Sequence, residues 1–210
     1  MAVLSISRQF GAGGWTLGRS ISKQLGYNFV SSQIINEMAK EANVSVEWIK
    51  GVEKHAGDWL MRFLNKFVNS EFIEKHVGDT RTDFDEKKYV TFLQSIVNRI
   101  ADEDNVVILG RGSQYILQGR ENVINLLLVA DLEDRIKFLE KIWKMSRKDA
   151  EKEILAREKR RDSFMKNFAL GPPNSPNLYH LTVNTSKIDF DQAKKIIISF
   201  VKDFEAKLNK

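Results

Sequence analysis

The residues best suited to chemistry in this sequence are a glycine cluster near its start and a set of arginines spread along it. The cluster is Gly11, Ala12, Gly13 and Gly14, and the arginines are Arg8, Arg19, Arg111, Arg157, Arg160 and Arg161. Backbone N–H groups of a glycine loop leading into a helix converge on one point and carry partial positive charge, which suits phosphate oxygens. Guanidinium groups bind the same oxygens, often in pairs. Thr16 supplies the hydroxyl nearest the cluster and is the candidate metal ligand. The spacing departs from the common phosphate-loop pattern GxxxxGK[ST]. With Gly13 as the second glycine, Arg8 stands at the first glycine, Gly14 at the lysine and Trp15 at the hydroxyl position.

Three readings of the cluster are open. A variant phosphate loop uses all of these residues. A dinucleotide fingerprint would start at Gly11 and Gly13, but its sixth position is Thr16, and the next strand ends in Ser31 and Ser32 instead of an acid for a ribose. A purely structural turn would need the glycines only for positive φ.

These residues require strands and helices to hold them. The apolar run Ala2–Ile6 enters the cluster, and Leu17, Ile21 and Leu25 follow it at helical spacing, giving strand, loop and helix. Buried parallel strands are predicted at Val3–Ile6, Tyr27–Val30, Val106–Leu109, Ile124–Val129 and Leu181–Val183. Residues 33–101 show helical spacing without a strand signal, through Trp48, Val52, Leu60, Phe63, Leu64, Phe67, Phe92, Ile96 and Ile100, and read as a helical insertion. Gly78–Lys88 reads as a loop within it. Asp131 is the expected N-cap of a helix whose apolar face is Leu132, Ile136, Leu139 and Ile142. Ser146 opens a second helix, with Asp149 completing an approximate capping box. The basic run Arg157–Lys166 ends that helix before Gly171-Pro172-Pro173. A last helix, about Asp189 to Leu208, places Ala193, Ile196, Ile197, Phe200, Val201 and Phe204 on one face.

Composition narrows the chemistry. The chain has 210 residues with 33 Lys+Arg against 28 Asp+Glu, a net charge of +5, which suits acidic or phosphorylated ligands. It contains no cysteine, so disulfides, thiolate catalysis and cysteine-ligated zinc are excluded, and three histidines, His55, His76 and His180, make no metal spacing. Trp48, Trp59, Trp143, Met61 and Met165 read as packing residues on helical faces. The first residues lack a signal-peptide pattern and no apolar run is long enough to span a bilayer, so a soluble, cytoplasmic protein without a membrane partner is expected.

Ser7-Arg8-Gln9-Phe10-Gly11-Ala12-Gly13-Gly14 with Leu17-Gly18-Arg19 resembles the signature of the cytidylate kinase-like family, in which glycine also replaces the loop lysine. Further matching segments follow in order. They are Ile108-Leu109-Gly110-Arg111-Gly112 with Tyr115-Ile116-Leu117, then Leu132-Glu133-Asp134-Arg135-Ile136, Lys159-Arg160-Arg161, Asn177-Leu178-Tyr179-His180-Leu181 and Val183-Asn184-Thr185-Ser186. The resemblance implies a single domain over residues 1–210 with the P-loop NTPase-type fold, a three-layer α/β/α arrangement around a five-stranded parallel sheet. It also implies an acceptor-binding helical insertion at 33–101 and a basic lid at 146–173.

The implied activity is transfer of the ATP γ-phosphoryl, with Mg2+, to a nucleoside monophosphate or another small phosphorylated or hydroxyl-bearing acceptor. Gly11, Ala12, Gly13, Gly14 and Thr16 would hold the donor phosphates and the metal. Arg8 or Arg19 would replace the lysine, and Arg111 would hold the acceptor. Arg157, Arg160 and Arg161 would form the lid, with Asp162 orienting one of them. Trp15 would narrow the phosphate site or stack on a base. Two other classes remain in view, a nucleotide-binding sensor with little turnover and, less favoured, a nucleic-acid-binding module built on residues 157–166. Oligomeric state is open, a dimer included.

Overall fold

The computed structural model describes residues 1–32, 35, 86–168 and 174–209. The expected insertion helices before residue 86 lie outside the described residues, with Trp48, Trp59, Met61, His55 and His76; so does the Gly171-Pro172-Pro173 stop. Two compact units divide the chain, 1–32 with 97–210, and 33–96. All described strands belong to the first.

Five parallel strands form its sheet, β1 (Val3–Arg8), β2 (Asn28–Val30), β3 (Val106–Leu109), β4 (Val123–Val129) and β5 (Leu181–Asn184), in the order β2-β3-β1-β4-β5. In register, Ile6 lies beside Leu109 on one side and Leu126 on the other. β3 is a continuous apolar run, and β1 and β4 are buried along nearly their whole length, Ser5 and Asn125 included, because both faces are covered. Each predicted strand is present, β1 running two residues further than expected, to Arg8.

Helix α1 (Gly14–Leu25) starts at Gly13 and stops at Gly26, whose φ of 72° turns its N–H back to Ser22 O. Its inner face buries Leu17 and Ile21. These pack with Leu4, Ile6, Val107, Leu126 and Leu128 of the sheet and with Ile197 and Val201 of the C-terminal helix. On the opposite face, Ser5 Oγ and Ser113 Oγ share a hydrogen bond of 2.8 Å that ties β1 to the short helix α3 (Ser113–Ile116). Helix α2 (Glu86–Asp102) begins inside the stretch read as a loop, so Glu86 to Lys88 are helical.

Two helices follow β4. In α4 (Leu132–Trp143) only part of the expected face is inward: Ile136 and Leu139 are buried, whereas Leu132 and Ile142 are exposed. Asp131 precedes it, but its side chain makes no cap hydrogen bond and instead accepts from Lys187 Nζ at 2.7 Å. Helix α5 (Arg147–Met165) is capped as expected, Ser146 Oγ accepting from Asp149 N–H at 3.2 Å. A 3-10 turn, Lys166–Phe168, ends it earlier than the sequence suggested.

Helix α6 (Phe190–Leu208) carries a full capping box between Asp189 and Gln192. Ile198 is buried in place of Ile196, which is exposed. The stripe Ala193, Ile197, Val201 sets the inner face, and Ile196 falls just outside it. No helix among the described residues is long and apolar enough to cross a membrane.

Candidate active site

The chain leaves β1 toward β2 and β3 on one side and reaches β4 and β5 on the other, so the crevice beyond the C-terminal ends of β1 and β3 is the switch point of the sheet. Gly110 N–H donates to Ile6 O at 2.9 Å, which brings the turn after β3 against the end of β1. A cavity of about 410 Å³ opens there, lined by Arg8 from β1, Arg111 from the turn, and Arg157, Arg160 and Arg161 from α5, with Phe10, Ser32, Phe164 and Met165 between them. Five guanidinium groups on one small cavity make a site for an anion of high charge.

Arg8 sits at the centre of this cluster, and two glycines make room for it. A Cβ on Gly14 would lie 2.9 Å from Arg8 Cγ, and a Cβ on Gly110 would meet the Arg8 guanidinium. The stem of Arg8 therefore takes the space that a lysine at position 14 would need. Its Nη2 donates to Ser32 Oγ at 3.1 Å. Burial first, then Arg111 and Arg161, pull the guanidinium pKa down to about 10, and Glu158 acts against them.

A cation whose folded pKa is lowered weighs on the fold at every pH below that value and is relieved only as pH rises past about 10. Arg8 therefore adds no pH dependence between about pH 6 and 9. Arg8→Met, which keeps the stem, is expected to stabilise the unliganded protein by about 1 kcal/mol and to abolish binding of inorganic tripolyphosphate. Thermal unfolding with and without tripolyphosphate checks both effects.

Arg111 is held in a left-handed conformation, φ 60°, between Gly110 and Gly112 at φ 81° and 71°. For a residue with a side chain that conformation costs about 1–2 kcal/mol, and it points the guanidinium at the crevice. Arg111 Nε donates to Ser32 O at 3.2 Å, and its guanidinium stands 5.7 Å from the Phe164 ring centre.

Helix α5 supplies the other arginines and also their carboxylate. Arg161 donates to Ser7 Oγ at 3.1 Å and to Asn174 Oδ1 at 2.9 Å. Arg157 lies over the Phe10 ring and donates to Glu153 Oε1 at 2.6 Å. Arg160 is the most exposed of the three, 3.7 Å from the same carboxylate oxygen. Glu158 accepts from the Phe10 N–H at 2.6 Å and lies 3.5 Å from Arg135 and 3.6 Å from Arg161. Glu153 thus pairs with Arg157 and Arg160, and Glu158 with Arg161.

The glycine loop has the geometry that binds anions. Gly11 and Gly13 have φ of 89° and 78°, and α1 has neither a side-chain cap nor an acidic residue in its first turn. Gly14, Trp15 and Thr16 N–H have no intrahelical acceptor at those positions. Ala12 is buried, its O accepting from Thr185 Oγ1 at 3.3 Å, and the Phe190 ring lies over Gly13.

Of this segment only Phe10 lines the cavity. Trp15 is 53% exposed and stands edge-on to Phe29, with the Arg19 guanidinium 5.1 Å from its ring centre. It does not narrow the cavity. Arg19 is exposed against that indole and outside the cavity, so between Arg8 and Arg19 the geometry at the lysine position favours Arg8.

Donor phosphates fit the free first-turn N–H groups. Magnesium bound with nucleotide takes most of its ligands from phosphates and water, so one hydroxyl, exposed Thr16, suits it. Among the described residues no group of three or more His, Cys, Asp or Glu could hold a metal alone.

The cavity also uses residues the sequence reading passed over. Glu158 pairs with Arg161 behind that lining, and its place three residues before Arg161 is its one signal in the sequence. Ser32 and Phe164 carried no pattern. Trp143, read as a packing residue, is half-exposed and stands edge-on to Phe10.

The sheet order, the glycine loop at the end of the central strand and the basic helix beside it define a P-loop kinase-type fold. The profile of the cytidylate kinase-like family matches residues 3–187, and the chain belongs to that family. No curated protein matches it in sequence. Among solved structures, an uncharacterized protein from Eubacterium ventriosum aligns with 96% of this chain and 99% of its own at 16% identity, with a TM-score of 0.69. A shikimate kinase from Bacteroides thetaiotaomicron aligns over 96% and 98% at 11% identity, TM-score 0.53. A gluconokinase from Sinorhizobium meliloti aligns over 99% and 95% at 10% identity, TM-score 0.51. These likenesses are of fold.

Proposed function

We propose that the protein is an ATP-dependent phosphotransferase whose acceptor already carries a phosphate, a nucleoside monophosphate being the leading class. The observation that carries this reading is the convergence of Arg8, Arg111, Arg157, Arg160 and Arg161 on one cavity beside the glycine loop. Phosphoryl transfer is mostly positioning and charge neutralisation, so clustered arginines are what it requires. Loop N–H groups hold the donor phosphates, and Thr16 is the protein ligand of Mg2+, which neutralises charge on the transferring group. Arg8 takes the place of the loop lysine. Arg111 holds the acceptor phosphate, residues 33–101 contribute to acceptor binding, and the 146–173 segment acts as a lid.

A hydroxyl-bearing acceptor without phosphate would leave several guanidiniums facing one another, at a cost in repulsion. Calorimetry separates the acceptor classes. The four common ribonucleoside monophosphates, shikimate and gluconate are titrated into the protein with a non-hydrolysable ATP analogue and Mg2+. At least one monophosphate is expected to bind, with Arg111→Ala weakening it about 100-fold. Binding of shikimate or gluconate in preference to every monophosphate overturns the acceptor assignment.

A second reading, a nucleotide-binding sensor with little turnover, draws on Trp15. An exposed indole stands where a metal-binding hydroxyl is usual, with Thr16 one residue late. Tight ATP binding without transfer to any acceptor would favour it.

A further inference from the structure

A second cavity, of about 270 Å³, lies among α3, the turn before β4 and the approach to β5. Gln114, Gln118, Asn125, Asn177, Tyr179 and His180 form its polar wall. Two oxygens of these residues, Gln114 Oε1 and Asn125 Oδ1, are buried without a hydrogen-bond partner. A buried acceptor left unpaired costs about 1–3 kcal/mol, so a ligand donor toward which either amide turns is rewarded. Asn125 N–H donates to His180 Nδ1 at 3.0 Å, which leaves the neutral ring's proton on Nε2 as a donor. Side-chain amides offer donor and acceptor side by side, the pattern that matches the edge of a nucleobase.

The wall is mostly uncharged, and its one cation is already engaged. No carboxylate lines the cavity among the described residues, and its arginine, Arg120, is held by Asp102 and by Asn98 O at 3.2 Å. The volume falls just under the usual range of about 300–1,000 Å³ for small-molecule clefts. We propose that this cavity is a separate binding site for an uncharged nucleoside, held by its base edge against the four side-chain amides.

The site is wired to the arginine cavity. Gln114 Nε2 donates to Met165 Sδ at 3.6 Å, and Met165 lines that cavity. The Tyr179 hydroxyl is within hydrogen-bonding reach of Gln114, of Ser7 and of Arg161. A base that engages Gln114 or Tyr179 therefore acts on the hydrogen bonds that orient Arg161. This goes beyond the transfer reaction and holds whether or not the protein transfers phosphate.

The test titrates adenosine, guanosine, cytidine and uridine into the ¹⁵N-labelled full chain. It follows the side-chain amide signals of Gln114, Gln118, Asn125 and Asn177. One nucleoside is expected to shift all four, and Gln118→Ala and Asn177→Ala, both exposed and outside the arginine cavity, weaken it about tenfold each. The same nucleoside changes the affinity for inorganic tripolyphosphate about fivefold in the wild type and not in the variants. Absence of shifts at millimolar nucleoside overturns the site. So do binding that both variants leave unchanged and an equal response to glycerol, which would mark a water-filled groove. Binding that leaves tripolyphosphate affinity unaltered overturns the coupling.

Discussion

Gly14→Lys, which installs the lysine of the common phosphate loop, is expected to abolish tripolyphosphate binding and to destabilise the fold by about 1–3 kcal/mol. A Cβ at position 14 would lie 2.9 Å from Arg8 Cγ and 3.3 Å from Arg8 Cβ, so the new side chain and the old one compete for one channel. Combining it with Arg8→Gly empties the channel and writes both glycines and the lysine of the common pattern, with Trp15 still at its hydroxyl position. The double variant is therefore expected to recover both stability and binding, whereas Arg8→Gly alone loses binding. Unfolding and calorimetry on the four proteins of this cycle give the coupling directly. A single Gly14→Lys variant that folds and binds as well as wild type would show that Arg8 is not the lysine's replacement.

Glu158→Gln is expected to act in the opposite direction on affinity. The carboxylate accepts from a loop N–H and lies among Arg135, Arg161 and Arg8, so an incoming phosphate meets a resident anion. Glutamine still accepts from Phe10 N–H but removes the charge. Tripolyphosphate is expected to bind about tenfold tighter, and the unliganded protein to lose about 1 kcal/mol through weaker pairing with Arg135 and Arg161. Calorimetry and thermal unfolding of the variant check the two together. Weaker binding would mean that Glu158 orients Arg161 for the ligand and does not compete with it.

Much of the fold was legible because its signals are local. Short apolar runs between turn residues marked all five strands, and Ser146 and Asp189 marked helix starts through side chains that cap within three residues. The helix faces were less legible. Ile142 and Ile196 fit the apolar periodicity and yet face outward, because periodicity cannot tell the rim of a stripe from its centre. Arg111 was legible as a site candidate from its place at a strand end, and Arg8 from its place in the phosphate-loop pattern, where a basic residue had to stand in for the lysine. The reason for Gly14 was not. It depends on where Arg8 runs between two glycines about a hundred residues apart in sequence, a three-dimensional fact. The role of Glu158 was hidden for the same cause, since its acceptor contact is to a loop residue 148 positions away.

The most direct test of the central claim follows a γ-³²P label from ATP and Mg2+ in the presence of each ribonucleoside monophosphate in turn. The account predicts that label appears on at least one phosphorylated acceptor, and that Arg8→Ala slows this about 1,000-fold. Label that stays in ATP or passes only to water with every acceptor would contradict it.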